Sequence, residues 1–264
     1  DENKDQYPEL GNNRVGVSMQ YVGREPRFYA SVAYNGSTWY LLNEPNDANK
    51  DKQIFYYRGG GNGYTNTMFW LRTGIGVMKF VHPDDTNRDE KEEYIRKKAE
   101  PAIRYAEILL IYAEALNELT GNYNIASWDE ETQYTIQRNI DEMKKGIQPI
   151  RIRAGIPDYT RSEYEDQDLF REKLKRERQI ELMGEGHRYY DIRRWKDAEV
   201  EESLPIYGCN TLMTEKWRDV FHVPVAIPSL PTNFSRKMYF WPISHSELKR
   251  NKMLTQNPGW TYND

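Results

Sequence analysis

The sequence predicts a mainly helical fold of the α+β kind, with extensive loops and a few short strands. Three observations carry this. After Pro101 apolar residues recur three and four apart in separate stretches, the signature of helices that bury one face. Before Pro83 no such period exists, and short aromatic groups alternate with turn residues. The 264 residues suffice for a sizeable core, in one large domain or two small ones.

Residues 1–98 read as a loop-rich aromatic region with short strands, and residues 99–264 as a helical region packed with it as one domain. In the first, Val15-Gly16-Val17 is a short apolar group, and Phe28 to Tyr34 fits a strand that ends at the Asn35-Gly36 turn, with Trp39 to Leu42 returning as its hairpin partner. Arg58 to Tyr64 is a flexible glycine loop flanked by aromatics, one that needs a tertiary reason to be ordered. Pro83 to Glu93 reads as a charged, solvated linker.

In the second region a long helix follows Pro101, its apolar face formed by Ile108, Leu109, Tyr112, Ala113, Leu116 and Leu119, with Gly121 as its end. Thr132 to Lys144 is a more polar helix closed by Gly146 and Pro149. Asp168 to Met183 is a third, with Leu169, Phe170, Leu174, Ile180 and Met183 as its stripe and Glu177, Arg178 and Glu181 as a paired electrostatic network. Gly184-Glu185-Gly186 breaks it, and Tyr189 to Trp195 starts another short helix. Beyond Cys209, prolines prevent long elements; Val220 to Val223 and Met238 to Trp241 are short strands or apolar anchors, Ser246 to Lys249 is a helical turn, and Gln256 to Trp260 packs locally.

Composition excludes several functions. With 37 Lys and Arg against 41 Asp and Glu, the net charge of -4 argues against a nucleic-acid partner. The single cysteine, Cys209, rules out an intrachain disulfide and reads as a buried thiol. His82, His187, His222 and His245 lack metal-ligand spacing, the glycine cluster lacks the Lys-Ser/Thr of a phosphate loop, and Glu107 and Glu114 read as salt links rather than a glycosidase pair. Neither enzyme chemistry nor a cofactor is indicated. No apolar run reaches the length of about 18 residues that a spanning helix needs, and Asp1 opens a polar stretch rather than a basic and apolar signal segment.

Several blocks then resemble one family. They are Arg104-Tyr105-Ala106-Glu107 continuing to Asn117, Arg151-Ile152-Arg153-Ala154-Gly155, Glu177-Arg178-Gln179-Ile180-Glu181-Leu182, and Glu185-Gly186-His187 continuing to Arg193-Arg194-Trp195. Phe240-Trp241-Pro242 to Leu248, Gln256-Asn257-Pro258-Gly259-Trp260 and, upstream, Arg24-Glu25-Pro26-Arg27 complete the set. In this order and spacing they resemble the SusD/RagB outer-membrane nutrient-binding lipoproteins of Bacteroidota, chiefly the carboxy-terminal half. Gln148, Met183-Gly184 and Ser244 depart from the usual pattern.

The resemblance implies a partial SusD-like fold of helical hairpins like tetratricopeptide repeats. It implies noncatalytic binding of an oligosaccharide or polysaccharide, or a related nutrient, and delivery to a SusC-type TonB-dependent transporter. It further implies an outer-membrane lipoprotein, surface-exposed or periplasm-facing, held by a lipid anchor absent from this chain, with an amino-terminal half beyond it that could complete the site. The signature Arg and Glu residues support the fold. A protein-interaction module that binds a peptide or transporter partner is the alternative.

Sugar recognition calls for an aromatic platform rimmed by hydrogen-bonding groups. Fourteen of the 35 aromatic residues lie in residues 1–80. Among them Trp39, Tyr40, Tyr56, Tyr57, Tyr64 and Trp70 are the candidate ligand contacts, with Asn35, Asn62, Asn66 and Arg72 near them in sequence.

Overall fold

The structure, a computed structural model, describes residues 18–39, 52–66, 68–82, 85–88, 92–94, 96–99, 101–214, 218–230 and 232–261. In chain order the elements are α1 (Pro26–Ser31), β1 (Val32–Tyr34), β2 (Thr38–Trp39), β3 (Lys52–Gln53), β4 (Ile75–Val77), β5 (Thr86–Arg88), β6 (Glu92–Tyr94), α2 (Tyr105–Asn117), β7 (Tyr123–Ala126) and β8 (Gln133–Ile136). Then come α3 (Ile140–Arg153), α4 (Arg161–Glu165), α5 (Gln167–Glu181), α6 (His187–Arg194), α7 (Ala198–Glu201), β9 (Tyr207–Gly208), α8 (Arg218–Phe221), β10 (Val225–Ala226) and α9 (His245–Arg250). Every described strand belongs to a two-stranded antiparallel pair: β1–β4, β2–β3, β5–β6, β7–β8 and β9–β10.

The main core lies between α2, α3, α4 and α5. Ala106, Leu110, Ala113 and Leu116 form the inner face of α2 and meet Met143, Ile147 and Ile150 of α3, Tyr164 of α4, and Phe170 and Leu174 of α5. The sequence places the α2 stripe one step around the helix. Ile108 and Tyr112 are exposed instead, because α2 is apolar on more than one face and periodicity alone admits two solutions. The helix ends at Asn117, before Gly121. There the buried Asn117 side chain accepts from Arg138 and donates to the Gln167 carbonyl, while Gln167 Nε2 donates back to the Asn117 carbonyl.

The expected helix at Thr132 to Lys144 is two elements. Residues 123–136 form the β7–β8 hairpin, and α3 starts after Asn139, whose side chain accepts from Glu142 N–H. Gly146 and Pro149, read as terminators, lie inside α3. Gly146 is there for packing: a Cβ on it would come 2.5 Å from the Leu109 carbonyl oxygen and 2.8 Å from Ala113 Cβ. By contrast α5 matches its expected span closely, capped by Asp166, which accepts from Asp168 and Leu169 N–H; a Thr160–Glu163 capping box starts α4.

The buried face of α5 changes character along its length. Phe170 and Leu174 are followed one turn on by Glu177, Arg178 and Glu181, all at most 4% exposed. Arg27 Nη1 bridges the two carboxylates, 2.7 Å from Glu177 and 3.2 Å from Glu181. Arg151 donates to Glu177 at 2.6 Å, and Arg153 and Arg104 donate to Glu181 at 2.5 and 3.0 Å. The expected network is therefore real, and it draws partners from α1, α3 and the start of α2. Arg178 pairs with Asp191 at 2.6 Å and so docks α6 on α5.

A second cluster gathers Ala33, Ile54, Tyr56, Tyr57, Cys209 and Phe221. Residues Pro26 to Ser31 are helical, not extended, because Pro26 at the first helical position presets φ; the strand is confined to Val32–Tyr34. The Asn35-Gly36 turn forms, with Ser37 N–H donating to the Tyr34 carbonyl and Gly36 at φ 89°; of the expected hairpin partner Trp39 to Leu42, only Trp39 is among the described residues. β1 pairs with β4 instead, and β2 with β3. Within the expected linker, β5 and β6 form a hairpin whose foot is tied by Asp85. The Lys98 ammonium, donating at 2.6 Å, with backbone donors from His82 and Arg96, holds that carboxyl down at about 2. Val220 and Phe221 are helical, the fully buried Phe221 acting as an anchor, and Met238 and Tyr239 lie in a 3₁₀ turn. The tail packs locally as expected: Gln256 bonds both backbone groups of Ile243, and Trp260 Nε1 donates to the Lys237 and Phe240 carbonyls. Val15 to Val17 lie outside the described residues.

Two predictions follow from this packing. Gly146→Ala should gain about 1 kcal/mol by helix propensity alone, yet here it should lower stability by roughly 1–3 kcal/mol because the α2–α3 contact has no room for a methyl group; a urea titration reads the sign. The second concerns acid. Burial pushes the Glu181 carboxyl up, but the hydrogen bonds and charges of Arg153, Arg104 and Arg27 outweigh it and hold it below its ordinary 4.5. Glu185 behaves alike through Arg104 and Lys79. As pH falls below 4.5 the unfolded chain takes up protons first, so stability present above that value drains away. Urea midpoints measured from neutral pH downward should fall in this range, and Glu181→Gln should lower the neutral midpoint while flattening the acid limb.

Candidate ligand-binding surface

The six candidate aromatics separate by burial. Tyr56 and Tyr57 belong to the second core: the Tyr56 hydroxyl lies where a Cβ on Gly76 would come within 2.8 Å, and Tyr57 meets Phe55 and Phe221 edge-on or tilted. At 9% and 8% exposure they offer no face to a ligand in this conformation. Trp39 lies in β2 opposite Lys52, and Tyr40 lies outside the described residues. Tyr64 and Trp70 are half-buried and pack as an edge-to-face pair with centroids 5.4 Å apart. The Arg58 guanidinium lies 5.5 Å from the Tyr64 ring centre.

The glycine loop that carries this pair has the tertiary reason it needs. Arg58 N–H donates to the Met213 carbonyl, Gly60 N–H to Tyr57, Asn62 N–H to Phe55 and Gly63 N–H to Gly60. A Cβ on Gly60 would sit 2.5 Å from the Phe55 carbonyl oxygen, and one on Gly63 would sit 2.0 Å from that of Tyr57. The glycines thus let the loop fold back onto the segment before it. Further on, Asn66 Oδ1 accepts from the N–H groups of Met68 and Phe69 at 2.8 and 3.0 Å, and Thr65 Oγ1 donates to the Phe69 carbonyl. That turn presents Phe69 and Met68, 67% and 79% exposed, beside Trp70 in the chain. Sequence reading omitted both, although Met68-Phe69-Trp70 is an apolar run inside a polar loop.

The polar neighbours divide likewise. Asn35 is buried and its Oδ1 accepts from Tyr56 N–H, so its role is structural. Arg72 Nη1 reaches the Ser229 carbonyl, while Asn62 is exposed. A rim of Arg58 and Asn62 therefore borders the Tyr64–Trp70 pair in the chain.

Elsewhere reactive groups are held in structural contacts. The Cys209 thiol is buried, 3.8 Å from the Tyr21 hydroxyl, and burial pushes its pKa up. Burial lowers that of His222, whose ring abuts Tyr21 and Phe221. Glu114 accepts from Arg194 and from Trp195 Nε1, and Glu107 lies 3.5 Å from His187 Nδ1 and 3.9 Å from Arg178, so both glutamates are in salt links. Among the described residues no three His, Cys, Asp or Glu side chains gather as a metal site, and no helix is long and apolar enough to cross a membrane.

Comparison with known proteins agrees with this architecture. SusD-like protein P2 of Formosa agariphila is 31% identical over 162 residues, 60% of this chain and 25% of the relative. Two solved structures have similar folds: selenomethionine BT4246, 23% identical with a TM-score of 0.77, and a SusD-like protein of Bacteroides fragilis, 26% identical with a TM-score of 0.64. They cover 96% and 90% of this chain, which in turn spans 41% and 39% of theirs. The chain thus spans a quarter of the length of the curated relative. The mainly helical, tetratricopeptide-like arrangement with short strands is theirs as well. The model of the SusD family matches residues 3–260, and the chain belongs to that family.

Proposed function

We propose that this chain serves noncatalytic capture of a glycan or related nutrient at the bacterial outer membrane, for delivery to a SusC-type TonB-dependent transporter. Membership in a family of binding proteins supports the general reading. The observation that carries it to a site is the half-exposed Tyr64–Trp70 pair on a braced loop, with Phe69 exposed beside it. Aromatic faces complement the C–H faces of a pyranose, and the Arg58 and Asn62 side chains suit its hydroxyls. Bracing matters because a loop ordered before binding loses less entropy on contact. Trp39 and Tyr40 stay in the proposal as aromatics of the same loop-rich region, whereas Tyr56 and Tyr57 serve as its core.

A second reading, a module for a peptide or transporter partner, has its own support in the exposed Ile103, Tyr105, Ile108 and Ile111 at and within α2.

Calorimetry against a panel of oligosaccharides tests the first. Trp70→Ala should weaken binding about ten-fold without shifting the unfolding midpoint. Asn66→Ala should speed amide exchange at Met68 and Phe69 and weaken binding several-fold while global stability holds. If the folded protein binds no oligosaccharide, the weight passes to the protein-partner reading.

A further inference from the structure

Between the loop-rich region and the helices lies an open cleft of about 700 Å³, within the range of small-ligand sites. Lys79, Phe80, Lys98, Arg104, Glu185 and His187 supply its chemistry. It is separate from the loop of Tyr64 and Trp70, none of whose residues line it.

The charges can be counted. Glu181, behind the cleft, accepts from Arg27 and Arg153 and also from Arg104 of the lining. Lys79 and Arg104 pair with Glu185, and Lys98 with Asp85 beside the cleft. Among the described residues that line the cleft, three are cations and one, Glu185, is a carboxylate. His187 also lines the cleft, its Nδ1 3.5 Å from Glu107.

The donors are not equally spent. All three hydrogens of Lys79 are used, by the Glu181 and Met183 carbonyls and Glu185. Arg104 donates through Nε and Nη2 only, leaving Nη1 without a protein acceptor among the described residues. Lys98 makes two bonds, to Asp85 and the Arg96 carbonyl, and keeps one hydrogen without an acceptor among the described residues. Phe80, 55% exposed, lies over Gly184, where a Cβ would be 3.2 Å from its ring; the glycine, at φ 78°, seats the ring at the cleft wall.

An apolar ring beside an excess of fixed cations with unspent donors complements a sugar that carries negative charge. We propose that this cleft is a subsite for the anionic substituent of an acidic saccharide, a uronate carboxylate or a sulfate ester, with Phe80 against the ring that bears it. The inference rests on the glycan-capture reading and narrows its ligand class. The protein's net charge of -4 does not oppose it, since the attraction is local and acts over about 8–10 Å at physiological salt.

The test is calorimetry on the full chain with three probes of equal length: an oligogalacturonate, a sulfated galactan oligomer and a neutral maltooligosaccharide. An acidic probe should bind about ten-fold tighter than the neutral one, and its affinity should fall as salt rises. Lys98→Gln should remove most of that advantage and leave neutral binding unchanged, Lys98→Arg should retain it, and Phe80→Ala should weaken the acidic probe. Which acidic probe binds separates carboxylate from sulfate. Equal affinity for neutral and acidic probes, or acidic binding indifferent to Lys98→Gln in a folded variant, would overturn the subsite while sugar capture stands. Absence of binding to every probe overturns both.

Discussion

A carboxylate withdrawn from water must find cations or stay protonated, and α5 presents two of them on a buried face one turn apart. Glu177 and Glu181 are satisfied only when Arg27, Arg104, Arg151 and Arg153 arrive from three other places in the chain. Such a cluster adds little net stability, because desolvation offsets much of the attraction. Its effect is on geometry. Removing any one partner strands a buried charge, so α1, α3 and the start of α2 are each held to one position relative to α5, a constraint that an apolar contact does not impose.

The family blocks acquire a physical meaning through this cluster. Arg27 comes from the upstream Arg-Glu-Pro-Arg segment, Arg151 and Arg153 from the Arg-x-Arg element, and Glu177 and Glu181 from the block on α5. Arg178, Asp191 and Arg194 extend the same logic to α6, and Glu114 of α2 closes it by accepting from Arg194 and Trp195. Motifs scattered over 168 positions, from Arg27 to Arg194, describe one spatial unit. Chemistry of this kind is structural, as the paired charges are spent on each other.

How much was legible in the sequence depended on whether the deciding force was local. α5 was readable because an amphipathic stripe bounds it, and its cap acts within three residues. α3 was not, since Gly146 and Pro149 are helix breakers by local propensity and only the close approach of α2 explains the glycine. The run at Phe28 looked extended because aromatics favour strands, whereas Pro26 starts a helical turn there. For the site, composition located the aromatic region but could not sort it. Tyr56 and Tyr57 sit beside the glycine loop in sequence, as Tyr64 does, and only tertiary packing against Phe221 sends them inward.

The same distinction separates scaffold from binding surface. Within the helices most buried charges find partners in the chain, which fixes shape and leaves little to offer a ligand. In the loops the backbone makes much of the bracing: Gly60 and Gly63 fold the chain onto Phe55 and Tyr57, while the Asn66 side chain turns it at Met68. Side chains there are freed for contact, so Phe69 and Trp70 can present apolar faces without losing order. Reversible capture of a hydrated ligand needs this combination, since weak stacking must exceed the entropy of ordering both partners. A stiff loop removes one of those costs before the ligand arrives. The cluster around α5 contributes at one remove, through Glu185, which holds Arg104 by Nε and Nη2 and leaves its Nη1 without an acceptor among the described residues.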